Sequence, residues 1–221
     1  SDRWNFIPKC RNDPAFACQV AGMLLGIESR RRTNADPFWG DAEQIALTAI
    51  LLHISEVYRE KAIPAFAADF LLFLSGDNDQ AFSDAMTNSP SVYAKQAYMA
   101  FRQAPAQTRG SILIGLYNKL RPFTLAPARM VTVAPTRDEE FSGCRTINFA
   151  DLRKPGTAIY LVVSEGAADM YKEFIATFIG QAVMEMRLDG VNEPEHPCFV
   201  LIDEAYQLNV SEVKRISGIG R

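Results

Sequence analysis

Apolar and polar positions along this chain change their rhythm near residue 124. Upstream, apolar residues recur at helical spacing: Phe66, Phe70, Phe73 and Leu74 share one face, and Ile112, Leu116 and Leu120 share another. Asp13-Pro14 and Asp36-Pro37 each place a capping carboxylate before a proline at the first helical position, and Pro64 and Ser91 open two further helices. The breakers between them are short: "GDND" at 76–79, "NSPS" at 88–91 and "QAPAQT" at 103–108. From residue 13 to 122 the pattern predicts a compact bundle of about five or six helices.

Downstream, a loop with Pro127, Pro135 and the acidic cluster Asp138-Glu139-Glu140 leads to "RTINF" at 145–149, which reads as a short strand. "TAIYLVV" at 157–163, opened by the turn "KPG" at 154–156, has the composition of a buried strand. Tyr171, Phe174, Ile175, Phe178, Ile179, Ala182 and Met186 then mark an amphipathic helix from about Ala167 to Leu188. The loop "DGVNEPEHP" connects it to a second apolar run, "CFVLI" at 198–202. Strand, helix, strand in this order predicts a parallel βαβ unit.

That second run ends in Asp203 and Glu204. Carboxylates at the C-terminal end of a buried strand lie where open α/β sheets bind ligands, and the pattern is that of a Walker B strand. There an Asp holds Mg²⁺ through water, and the next Glu orients or deprotonates an attacking water. The bland alternative is that Asp-Glu caps a helix or ends a strand in solvent. A Walker A loop, GxxxxGK[ST], is absent: Gly-Lys occurs nowhere, and "KPGT" at 154–157 has the wrong order. The chain opens on "SDRWNF", without an initiator Met or a signal-type apolar core, and reads as cut from something longer, with the phosphate loop upstream.

Composition narrows the classes. Of the 221 residues 48% are apolar and 22% charged, as in an ordinary globular protein. Lys and Arg number 23 against 26 Asp and Glu, a net charge of −3 that does not advertise a nucleic-acid or anionic-membrane surface. Cys10, Cys18, Cys144 and Cys198 form no CxxC pair, and neither His53 nor His196 has a second ligand at metal spacing, so reduced thiols and no zinc site are expected. "IALTAILLHI" at 45–54 is about half the ~20 residues of a membrane helix and reads as core. Arg30-Arg31-Arg32 is a candidate phosphate-contacting loop, but residues 1 to 140 hold 15 basic and 15 acidic side chains, which favours an ordinary solvated loop. Phe38 and Trp39, in the first turn of an apolar helix, read as core rather than a recognition patch.

"SDRWNF", "DPFW" at 36–39, "TRGSILIGLYNKLRPF" at 108–123 and "LIDEAYQL" at 201–208, with an Arg 18 residues after the Asp, occur in an order that resembles the coupling ATPases of type IV secretion and conjugation systems, the TraD/TraG type. The resemblance implies a mixed fold, an all-α bundle insert followed by part of an α/β RecA-like parallel sheet of the P-loop NTPase class. It implies the end of a preceding motor segment at 1–9, an all-α cargo-recognition domain at 10–140, and a partial nucleotide-binding domain with the Walker B strand at 141–221. In that family ATP and Mg²⁺ are the cofactors. Asp203 would coordinate Mg²⁺ through water, Glu204 would polarise the attacking water, and Arg221 falls where the family places an arginine finger supplied in trans, although the spacing is a residue short of relatives. The resemblance further implies a hexameric motor beneath an inner-membrane anchor. Its partners would be relaxosome or effector proteins, DNA, and other secretion-system components. The alternative is a cargo- or partner-docking helical module without ATPase activity of its own.

Overall fold

The computed structural model describes residues 2–27, 37–74, 79–187 and 199–201. Helix α1 (Pro14–Leu24) starts where the sequence signals it: the Asp13 carboxylate accepts from Phe16 N–H at 2.9 Å and Pro14 occupies the first helical position. Helix α2 (Pro37–Tyr58) is the axis of the molecule. Its middle is apolar on every side, with Leu47, Ile50, Leu51 and Ile54 buried, and such a helix needs neighbours all round. It finds them in α1, α5 (Val92–Phe101) and α6 (Ala106–Leu120), while α3 (Pro64–Leu74) and α4 (Asp79–Thr87) close the bundle. Ser91 begins α5 by accepting from Ala94 N–H at 3.2 Å, so the "NSPS" breaker is a turn ending in a cap.

Two pieces read as loop are helical. Pro127 lies in the first turn of α7 (Ala126–Thr132), and Thr136 and Glu139 form a reciprocal capping box that starts α8 (Arg137–Phe141). The helix expected over 167–188 divides into α9 (Glu165–Ala168) and α10 (Lys172–Arg187).

The first residues tie the two ends together. Arg3 N–H donates to Arg145 C=O at 2.8 Å, Ile147 N–H donates to Arg3 C=O at 2.7 Å, and Trp4 N–H donates to Val131 C=O at 2.7 Å. Trp4 packs at 5.0–5.3 Å between ring centroids against Phe6, Phe174 and Phe178, and its Nε1–H donates to Gln181 Oε1 at 2.9 Å. A buried indole keeps its N–H satisfied in this way, and α10 is thereby fastened to the bundle. Lys9 adds an ion pair to Glu185 on α10.

The mixed fold does not hold: among the described residues there is no strand, and no RecA-like sheet is formed. "RTINF" contributes one isolated parallel bridge, Thr146 to Arg3, and Phe149–Arg153 turns into a 3₁₀ helix. Residues 157–163 follow the Gly156 turn (φ 75°) without regular secondary structure, and no ladder forms with any described segment. Ile159 packs against the core, whereas Tyr160 and Val162 are 87% and 88% exposed. Apolar composition favours a strand, but a strand exists only with a neighbour that takes its N–H and C=O groups. Phe199–Leu201, expected on a strand buried on both faces, is likewise exposed, Leu201 at 93%.

Candidate functional site

Asp203, Glu204 and Arg221, and the triple Arg30, Arg31 and Arg32, lie outside the described residues, as do His196 and Cys198. No geometry connects Asp203 or Glu204 to a nucleotide. Among the described residues no group of three or more His, Cys, Asp or Glu side chains is placed to hold a metal ion.

The polar chemistry inside the bundle is structural. His53, on α2, meets Ser89 in the α4–α5 turn, Nδ1 to Oγ at 2.9 Å, and its ring lies 5.1 Å from that of Phe70. Ser89 Oγ also accepts from Ser91 N–H at 3.3 Å, so one buried hydroxyl joins the central helix to the cap of α5. Burial lowers the His53 pKa from 6.5 to about 4, which keeps the ring neutral at physiological pH. The buried Cys10 thiol is pushed above its ordinary range, first by desolvation and then by the Asp13 carboxylate. A thiol so raised is a poor nucleophile. Between Lys119, Phe123, Tyr171 and Phe174 there is a cavity of ≈ 10 Å³, room for roughly one water and not for a substrate.

The surface is more informative. Lys119 pairs with Glu43 across α6 and α2 at 2.6 Å, and Arg109 donates to the Ala104 and Arg102 carbonyls at 2.7 and 3.3 Å, closing the end of α5. Helix α5 is thus held at both ends and along one side, where Ala94, Tyr98 and Phe101 are buried. Its opposite side exposes Val92 (63%), Tyr93 and Met99 (49%). Trp39, read as core, is 45% exposed. Sequence periodicity marked which helices exist but not which face of α5 stays open, because that depends on α5 packing against α2.

No protein-family model matches the chain, and no match was found among curated proteins or solved structures. No helix among the described residues is long and apolar enough to cross a membrane.

Proposed function

We propose that this chain is the partner-docking part of a type IV secretion coupling protein, recruiting protein cargo to a hexameric translocating ATPase. The observation that carries the docking half of this reading is the rigid bundle with large apolar side chains held open to solvent on α5, since a few pre-organised anchors dominate protein recognition. The coupling half is supported by the ordered motifs "SDRWNF", "DPFW", "TRGSILIGLYNKLRPF" and "LIDEAYQL". In this reading the chain is the cytoplasmic part of a protein anchored in the bacterial inner membrane. Asp203 is the residue that would hold Mg²⁺ through water, Glu204 the one that would orient the attacking water, and Arg221 the one offered to a neighbouring subunit. The nucleotide belongs to the full-length protein.

A second reading, a docking module with no ATPase of its own, is favoured by one observation: the described residues form helices and no sheet. The two part on one experiment. In the full-length protein Glu204→Gln is expected to keep nucleotide binding and slow turnover by ~10²- to 10⁴-fold, because the amide keeps the carboxylate's shape but accepts no proton. Turnover within about threefold of wild type would remove Glu204 from the chemistry and leave the docking module standing. The 221-residue chain alone is expected to hydrolyse no ATP, having no Walker A loop.

A further inference from the structure

Charge on the bundle is segregated, although residues 1 to 140 balance. Between Asp84 and Asp138 the chain carries no Asp or Glu, while Lys95, Arg102, Arg109, Lys119, Arg121, Arg129 and Arg137 all fall in that interval. Three of these are engaged within the molecule: Arg109 on backbone carbonyls, Lys119 on Glu43, and Arg129 at 3.9 Å from Asp69. Lys95 and Arg102 are exposed and meet no carboxylate among the described residues. Both belong to α5 and its C-cap.

Helical geometry fixes their arrangement. At about 100° per residue, Lys95 and Arg102 lie seven residues apart on one edge, roughly 10 Å along the axis. Val92 and Met99, also seven apart, form the adjacent exposed row, with Tyr93 beyond it. The surface is therefore an apolar row with a cationic row beside it and no carboxylate on the element. Buried Ala94, Tyr98 and Phe101 hold it in place, with Tyr98 against Phe82 at 5.8 Å.

We propose that the exposed face of α5 docks an acidic amphipathic protein segment, whose carboxylates meet Lys95 and Arg102 while its apolar side chains cover Val92, Met99 and Tyr93. This deepens the docking reading above and rests on it. The charge complement selects an acidic partner, and the apolar row selects a protein over a nucleic acid. Two cations release too few counterions for firm binding to a polyanion, and Val92 and Met99 gain nothing from phosphate. Aromatic, Met and Arg side chains are by contrast what protein interfaces concentrate.

The test uses the full 221-residue chain and a labelled helical peptide of about 14 residues bearing Glu at i and i+7 beside a row of Leu, against the same peptide with Lys for Glu. Wild type is expected to prefer the Glu peptide by about tenfold or more at near-physiological salt. Lys95→Glu with Arg102→Glu is expected to invert that preference, and Met99→Ser to weaken both peptides. If the reversal unfolds the chain, Lys95→Gln with Arg102→Gln is expected to abolish the preference. No binding of the Glu peptide, or a preference unmoved by these variants, overturns the proposal. Tighter binding of a duplex or single strand of about 20 nucleotides, lost on the same variants, overturns it in favour of a nucleic-acid surface. Failure here, with Glu204→Gln still blocking turnover in the full-length protein, removes the α5 face and leaves the coupling reading in place.

Discussion

His53 shows how one side chain can couple stability to pH. The unfolded chain protonates near pH 6.5, whereas burial keeps the folded ring neutral until about pH 4. The His53 contribution is therefore full well above pH 6.5 and is lost as pH falls through 6.5 towards 4, where the unfolded state binds the extra proton. Glu139 acts in the same direction at lower pH. The Thr136 N–H, chiefly, holds its pKa below 4.5, so its contribution is present above that value and fades as pH falls through the folded pKa. Between pH 6.5 and 5 it is the comparison with a His53 variant that separates this side chain from the other titrating groups, His196 among them. There wild type is expected to lose about 1.5 kcal/mol relative to His53→Gln, read by urea unfolding at both pH values. Equal losses in the two proteins would mean that His53 is not the group. Nothing in the residue string around His53 discloses this behaviour, because it depends on Ser89 and Phe70 arriving from other elements.

Among elements, α10 depends most on a distant partner. Trp4 is 4% exposed and touches α10 through Phe174, Phe178 and Gln181. Trp4→Ala is expected to cost about 3–5 kcal/mol and to open α10 to proteolysis, whereas Trp4→Phe keeps a ring but leaves Gln181 unpaired, at about 1–3 kcal/mol. A cost under about 1 kcal/mol for Trp4→Ala would show that α10 is held by other contacts. Caps made elements legible: Asp13-Pro14, Pro64 and Ser91 each mark a helix start that the structure bears out. Pro127 and the acidic run at 138–140 were misread as loop because proline in a first turn and a Thr136/Glu139 box open short helices as readily as they break long ones. The strands were misread for a different reason. The apolar run at 157–163 describes side-chain composition, while a sheet requires a second backbone, and none of the described segments supplies it. The site residues Asp203, Glu204 and Arg221 were legible only as sequence, and the α5 face was hidden by summing charge over the whole bundle.

At the scale of the whole molecule the described residues form a helical body, on one face of which the docking proposal rests, and among them no sheet is built around a nucleotide. Trp4, Phe6, Phe123, Phe149 and Phe174 join the core of α1, α2, α5 and α6 in a single cluster, so the body is expected to open as one unit. Residues 158–163, which belong to no helix, share little of that protection, since Tyr160 and Val162 face solvent. Amide hydrogen exchange on the 221-residue chain, with and without Mg·ATP, tests this directly. The expected result is slowest exchange in α2, α5 and α6, rapid exchange at 158–163, and no change at any position when Mg·ATP is added. Protection at 158–163 equal to that of α2, or protection gained there with Mg·ATP, would contradict the claim and return a nucleotide-binding sheet to this chain.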